Sequence, residues 1–368
     1  MIINKSILGD CRDVMRQLAN DGVKVQTCIT SPPYYGLRDY GTGTWIGGDE
    51  NCSHKRDSKY SENTITGHSN KLLTVGDAIY KDVCPRCGAV RQDRQLGLEQ
   101  TPNDYIIAMV EVFRCLWDIL EDDGTLWLNI GDSYSSHKDC KSVGQTLAKG
   151  TSREDAHVMD MGLSRVRDTK MLKSQGLKNK DLIGIPWMLA FALRADGWYL
   201  RQDIIWQKPN PMPESVQDRC TKSHEYVFLL TKSDKYYYDN EAIKEPATST
   251  DNTDRDRDLS KLNNTPGRTR MAGLKTNHYE TKNKRSVWSI PTKSSSEAHF
   301  AVMPEELVEP CILAGSKIGD IVFDPFMGSG TVGRVAQALG RKWLGAELNP
   351  EYIKIQDKRT AQQSMEFI

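Results

Sequence analysis

The chain has 368 residues, 27% charged and 38% hydrophobic, an ordinary globular balance long enough to bury one large α/β core or two smaller ones. Its 49 basic and 49 acidic residues cancel, so any affinity for nucleic acid must come from local patches rather than a globally basic surface. No stretch reaches the roughly 18 apolar residues of a membrane span, and nine cysteines without an export leader point to free thiols in a reducing cytoplasm.

Residues 2–8 read as a strand ending at Gly9-Asp10, and 11–18 as a helix. The apolar run 23–29 is a second strand, stopped by Thr30-Ser31-Pro32-Pro33-Tyr34, because two prolines can continue neither a ladder nor a helix. Residues 36–98 turn polar with little periodicity and read as an insertion. Thr101 and Pro102 supply the cap and first-turn proline of a helix running to about residue 120, with Tyr105, Met109, Val112, Leu116 and Ile119 on one face. A turn at 122–124 leads to a strand over 125–130, closed by Gly131-Asp132-Ser133-Tyr134. Helix, turn and strand in that order make one crossover unit of a parallel sheet.

Residues 135–180 have almost no apolar periodicity and carry ten basic against five acidic residues, the pattern of a mobile basic loop. A helix over 186–195 and a strand over 199–206 follow, then the proline-rich 208–213. Residues 224–231 and 236–239 read as two strands around a turn at 233–235. The segment 251–285 is again polar, with nine basic against five acidic residues. The remainder is orderly: helix 304–314, strand 321–323, a glycine loop, helix 331–339, strand 343–346 and a helix from 351. The expected fold is α/β, a doubly wound and mostly parallel sheet.

The glycine loop Phe323-Asp324-Pro325-Phe326-Met327-Gly328-Ser329-Gly330-Thr331 lies between a strand and a helix. Glycines let a backbone approach a ligand closely, and a helix start offers unpaired N–H groups. The lysine of a nucleoside-triphosphate loop is missing. Glu347 follows Asp324 by 23 residues at the end of the next strand, where α/β nucleotide sites accept ribose hydroxyls, and Asn349 just beyond it is a further candidate cofactor-binding residue. Asp324 can take the ammonium group of an amino-acid-bearing ligand. The competing reading is a tight strand–helix turn with a solvated acid.

Cys52-Ser53-His54 and Cys84-Pro85-Arg86-Cys87 together offer three sulfurs and an imidazole. Cys-x-x-Cys followed by glycine is a common knuckle for tetrahedral zinc, and a closed set of four ligands suits a structural site that folds a polar insertion. His68 is an alternative to His54, and unrelated reduced thiols or a redox pair are competing readings.

The loop from Asp324 to Thr331 resembles the cofactor loop of S-adenosylmethionine-dependent DNA amino-methyltransferases, and Ser31-Pro32-Pro33-Tyr34 resembles their catalytic tetrapeptide. The catalytic motif comes first, the permuted order of the family's β group. The likeness covers most of 1–40, 99–134, 181–240 and 286–355. It implies that Gly9-Asp10 touches the adenine of the cofactor, although Asp10 also reads as a helix cap. It implies too that the segment from His299 and Phe300 to Pro304 packs beside the methionine part. At the Pro-Pro corner, the Ser31 hydroxyl and Pro32 carbonyl would accept hydrogen bonds from an exocyclic amine, stabilising the charge that develops there. The methyl group would pass in line to nitrogen, with Tyr34 stacked on the flipped base.

Serine at the first position leans toward cytosine N4, and Asp or Asn toward adenine N6, so cytosine N4 is the expectation and adenine N6 its nearest rival. Carbon-5 methylation would need a nucleophilic cysteine, and Pro310-Cys311 falls inside a predicted core helix. RNA or planar amide substrates are further alternatives. A non-catalytic nucleic-acid-binding module that keeps the fold is the rival from another class.

The expected organisation has a catalytic half over 1–40 and 99–240, with the basic loop 135–180 inside it. The zinc insertion spans 41–98, a target-recognition region 241–287 and the cofactor half 288–368. The implied partners are double-stranded DNA, a cognate restriction endonuclease or a phage context, and a second copy in a homodimer. The expected location is the cytoplasm of a prokaryotic cell or phage-infected host, with no membrane partner.

Overall fold

The computed structural model describes residues 3–36, 43–54, 83–93, 95–135, 176–247, 280–292 and 303–366. His68, His299, Phe300 and most of both basic segments lie outside the described residues.

Asp10 starts the first helix by accepting the Arg12 N–H at 2.9 Å, an N-cap that satisfies a donor the helix cannot. It links strand β1 (Lys5–Leu8) to helix α1 (Cys11–Asn20), whose Val14, Met15 and Leu18 are buried. Strand β2 (Val25–Thr30) is buried at five of six positions, as expected of a central parallel strand covered on both faces. The short pair β3 (Thr44–Ile46) and β4 (Val90–Gln92) forms the base of the insertion. Helix α2 (Pro102–Ile119) buries Tyr105, Met109, Val112, Leu116 and Ile119 along one face. It runs straight into β5 (Leu120–Ile130).

Helix α3 (Ile185–Ala195) then leads to β6 (Tyr199–Gln207) and β7 (His224–Thr231). The pair β8 (Glu245–Pro246) and β9 (Thr281–Lys282) stands apart, whereas β10 (Val287–Ser289) joins the main sheet. Helix α4 (Glu305–Gly315), strand β11 (Ile321–Asp324), helix α5 (Thr331–Ala338), strand β12 (Lys342–Glu347) and helix α6 (Pro350–Glu366) complete the described chain.

The eight-stranded sheet has the order β1-β12-β11-β2-β5-β7-β6-β10. All neighbours are parallel except β7, which is antiparallel to both β5 and β6. One face is covered by α1, α2 and α3 around Met15, Phe113, Leu116, Leu189 and Trp198. The other is covered by α4 and α5 around Val308, Ile312, Val332 and Trp343. This is the doubly wound, mostly parallel α/β sheet that the sequence predicts.

Three sequence expectations are corrected. The predicted turn at 122–124 is strand, because Leu120 is already extended and the β2 register slips between Val25 and Thr27 to absorb the extra length. Gly124 permits this irregularity, since a Cβ there would sit 2.7 Å from Leu120 Cγ. Residues 236–239 are not a strand: Tyr237 and Asp239 donate their N–H groups to Asp123 and Ala314 instead of to a ladder. The first strand starts at Lys5, not residue 2, because Asn4 takes a left-handed φ of 58° and its side chain accepts the Trp343 N–H. The eight described cysteines are all free, and no helix among the described residues is long and apolar enough to cross a membrane.

Candidate active site

The sheet's winding reverses between β11 and β2. From β11 the chain passes through α5 to β12 on one side, and from β2 it passes through α2 to β5 on the other. Such a reversal opens a crevice at the carboxyl ends of the two strands, where open α/β sheets bind ligands. Asp324 ends β11 and Thr30 ends β2, and the Thr30 hydroxyl donates to Asp324 Oδ1 at 2.6 Å. The residue immediately before Ser31 thus touches the acid of the glycine loop, across 294 positions of sequence.

Asp324 is 1% exposed, and among the described residues no lysine or arginine pairs with it. Burial pushes its carboxyl up to about 7; the Thr30 hydroxyl and the Phe326 N–H at 2.9 Å oppose this, while Glu347's charge adds to it. A buried carboxyl in that position is suited to receiving a cation. Glu347, at the end of β12, accepts the Gly328 N–H at 2.8 Å and the Asn349 N–H at 2.8 Å, and burial raises its pKa as well. Asn349 in turn accepts the Glu351 N–H at the start of α6.

Gly328 and Gly330 hold left-handed φ values of 53° and 83°. A Cβ on Gly330 would fall 2.9 Å from Gln356 Cγ. Pro325, Ser329 and Thr331 are buried, and Phe326 is half-buried against the core. The loop is braced from behind by α6: Gln356 donates to the Gly328 carbonyl at 2.7 Å, and Arg359 to the Ser329 carbonyl at 2.9 Å and hydroxyl at 2.8 Å. Asp10 sits at the end of β1, beside β12, where Gly9 donates its N–H to the Glu347 carbonyl at 2.8 Å. The helix-cap reading of Asp10 holds, and Arg12 grips both carboxylate oxygens at 2.9 and 2.7 Å. Contact with a ligand would have to use the acceptor capacity left over.

At the Pro-Pro corner, Ser31 is half-buried with Oγ 3.5 Å from the Tyr34 hydroxyl. Tyr105 donates to the Pro33 carbonyl at 3.0 Å, which fixes the turn, and Pro32 is buried beside it. The Tyr34 hydroxyl donates to Glu225 Oε2 at 2.7 Å, with Asn129 Oδ1 at 3.3 Å. Burial and the Glu225 charge push the phenol well above its ordinary pKa, so it stays a neutral donor. Lys208 pairs with the other Glu225 oxygen. Gly131 makes room for the ring, since a Cβ there would be 2.7 Å from Tyr34 Cε2.

Thr30, Tyr105, Asn129, Lys208, Glu225 and Gln356 are site residues that the sequence reading missed. A signal existed for two of them: Asn129 and Glu225 are polar positions in strands otherwise rich in buried apolar residues.

The four candidate metal donors converge. The ligand atoms of Cys52, His54, Cys84 and Cys87 all lie within 4.8 Å of one another. Cys52 Sγ is 3.8 Å from Cys84 Sγ, and Cys87 Sγ is 3.5 Å from His54 Nδ1. Zinc bonds of about 2.3 Å to sulfur and about 2.1 Å to nitrogen give tetrahedral edges of roughly 3.8 and 3.6 Å, so the donor set fits the ion. The turn gathers these donors. Gly88, at φ 74°, donates its N–H to the Cys84 carbonyl at 2.8 Å, and a Cβ on Gly48 would strike Cys87 Sγ at 2.8 Å. His54 holds a left-handed φ of 50°, a cost that ligation would offset, and its ring stacks on Trp45 at 4.4 Å.

A family model described as DNA methylase, covering N6 and N4 enzymes, matches residues 25–358. The chain is 40% identical to the Type II methyltransferase M.Cfr9I of Citrobacter freundii over 94% of its own length and 84% of that protein's. It is also 40% identical to M.SmaI of Serratia marcescens, over 96% and 90% of the two chains. Among solved structures, the PvuII DNA methyltransferase (cytosine-N4-specific) superposes with a TM-score of 0.52 at 15% identity, over 96% of this chain and 85% of that one, a likeness of fold.

Proposed function

Because the chain belongs to the N6 and N4 DNA methylase family, whose model matches residues 25–358, it is a DNA amino-methyltransferase, and we propose that it methylates cytosine N4 in double-stranded DNA. The observation that carries the reading is the Thr30–Asp324 hydrogen bond of 2.6 Å, which joins the Ser31 corner to the candidate cofactor loop at one crevice.

S-adenosylmethionine, when bound, supplies a methyl group on a positively charged sulfur. Asp324 takes its ammonium group, Glu347 its ribose hydroxyls and Asp10 its adenine, while the turn from Pro325 and Phe326 through Gly328, Ser329, Gly330 and Thr331 lets the backbone approach closely. His299 and Phe300 are assigned to the methionine side by family resemblance alone. The Ser31 hydroxyl and Pro32 carbonyl hold the N–H groups of the flipped base, drawing the nitrogen's lone pair out of conjugation and stabilising positive charge there. Pro33 stiffens the turn, and Tyr34 stacks on the ring. The amine nitrogen would take the methyl group as the sulfur–methyl bond breaks, its electron pair staying on sulfur to leave a neutral thioether, and the methylated amine would then shed a proton to water.

By the family resemblance, serine rather than a carboxamide or carboxylate at position 31 favours cytosine, and its hydroxyl can both donate to the ring nitrogen and accept from the amine. Digesting methylated DNA to nucleosides for mass spectrometry tests this: N4-methylcytidine is expected, and N6-methyladenosine alone would overturn the assignment. A non-catalytic DNA-binding role would require purified protein to transfer no methyl group to any DNA.

Cys52, His54, Cys84 and Cys87 hold a structural zinc that folds the insertion, a reading supported by the tetrahedral spacing of their donor atoms. The name Type II carried by the relatives supports pairing with a cognate restriction endonuclease, in a bacterial or phage setting. We assign the enzyme to the cytoplasm and to a homodimer, the latter testable by light scattering.

A further inference from the structure

We propose that Glu225 is a positioning residue for methyl transfer, fixing the Tyr34 ring as a preformed platform for the flipped base. Glu225 opens β7 at the same sheet edge as the ends of β2 and β5, because β7 runs antiparallel to its neighbours. Its two oxygens have separate tasks. Oε1 faces Lys208, which follows β6, and Oε2 takes the Tyr34 hydroxyl at 2.7 Å together with Asn129 Nδ2 at 3.3 Å. Asn129 is itself held by the Tyr226 carbonyl at 3.1 Å and presents Oδ1 to the same hydroxyl at 3.3 Å. Two strands, β5 and β7, and the corner that follows β2 therefore meet at one phenolic oxygen.

A cross-strand ion pair that merely joined β6 to β7 would need neither Tyr34 nor Asn129. The Glu225 and Lys208 side chains are only 16% and 18% exposed, so the pair is largely withdrawn from water. In such surroundings a hydrogen bond to a carboxylate is stronger and more costly to lose than one at the surface. The ring is also bounded at its edge, where a Cβ on Gly131 would sit 2.7 Å from Cε2. Held at both its hydroxyl and its edge, the ring is ordered before a base arrives, so little rotamer entropy is lost on stacking. Lys208 balances the carboxylate, which keeps an uncompensated negative charge away from a DNA backbone approaching the corner.

This rests on the reading that the corner receives a flipped base, and the experiment separates the two. Wild type, Glu225→Ala, Glu225→Gln, Tyr34→Phe and the Tyr34→Phe/Glu225→Ala double variant are compared in the full-length chain. The measurements are kcat, KM for DNA, the Kd of S-adenosylmethionine, and the fluorescence of 2-aminopurine at the target position. Glu225→Ala should lower kcat about ten- to a hundredfold and leave the cofactor Kd within about twofold. It should also change the 2-aminopurine signal of the bound complex. Glu225→Gln, which still offers an acceptor to Tyr34, should restore most of the loss. In the Tyr34→Phe background, removing Glu225 should cost less than about threefold more, because the two act through one bond. If Glu225→Ala keeps kcat within about twofold of wild type, or the two losses multiply, the assignment is overturned. If wild type transfers no methyl group to any DNA, the broader reading fails first.

Discussion

In the proposed role of ammonium acceptor, Asp324 should make cofactor binding dependent on pH in a direction that its surroundings dictate. Its carboxyl is lifted from 3.8 to about 7 by burial, and at about 1.36 kcal/mol per pH unit that is on the order of 4 kcal/mol of desolvation left uncompensated in the ligand-free chain. An ammonium group placed beside it favours the carboxylate and draws its pKa down, so binding releases a proton whenever the free site is protonated. Affinity for S-adenosylmethionine should therefore weaken as pH falls below about 7, by up to about tenfold per pH unit. Above about pH 8 the ligand's own ammonium begins to deprotonate, which weakens binding on the other side.

Isothermal titration between pH 5.5 and 9, in buffers of different ionisation enthalpy, reads both the Kd and the protons released. Asp324→Asn should weaken binding at pH 7.5 by about tenfold or more and abolish the acid limb while leaving the alkaline limb in place. An acid limb unchanged in the Asn variant, or a flat wild-type profile from pH 5.5 to 7.5, would refute the role given to this carboxyl. The same residue sets a stability trend. Its folded pKa lies above its unfolded one, so its contribution to folding is fully present below about pH 4 and is lost as pH rises through about 7. The melting temperature of the ligand-free chain should then fall across that window more steeply than that of Asp324→Asn.

Ser31→Ala should lower kcat by about a hundredfold, with the cofactor Kd within about twofold in the same titration, because the hydroxyl is proposed to serve the target amine and not the cofactor. Gly131→Ala pushes a methyl group onto a ring that a Cβ would meet at 2.7 Å, so turnover and 2-aminopurine fluorescence should change while cofactor binding does not. Gly330→Ala places a side chain at φ 83° and against Gln356, and should cost about 1–3 kcal/mol in thermal or chemical unfolding as well as weakening cofactor binding. Arg359→Ala removes the brace on Ser329 and should raise the cofactor Kd several-fold without altering the KM for DNA. Elemental analysis should find about one zinc per chain. Its removal by chelation should lower the melting temperature, and Cys87→Ser should fail to retain the metal.

Much of the site is legible along the chain because short-range physical chemistry writes it there. Two prolines at 32 and 33 stop β2, which ends at Thr30, glycines allow left-handed turns at 328 and 330, and the strand–helix–strand rhythm sets the spacing from Asp324 to Glu347. The cysteines and histidine of the knuckle are recognisable by type and local spacing, although the approach of residues 52 and 84 is not. Where sequence reading went astray, tertiary contacts outweighed local preference. Asp122, Asp123 and Gly124 look like a turn but continue β5 because β2 offers a ladder, and 236–239 look like a strand but find their partners in the irregular start of β5 and a helix end.

What the sequence by itself determined is the inventory: a hydroxyl and carbonyls at one strand end, a carboxylate and glycines at another, and an acid one strand further on. Only the tertiary structure decided which of these meet. The Thr30 hydroxyl bonding Asp324, the Tyr34 hydroxyl bonding Glu225, and α6 bracing the glycine loop join residues 294, 191 and up to 30 positions apart. The physical reason is the sheet order: placing β2 between β11 and β5, with β7 reversed beside them, brings separate stretches of chain to one edge. Local propensity carries no record of that order, which arises from burying both faces of the sheet at once.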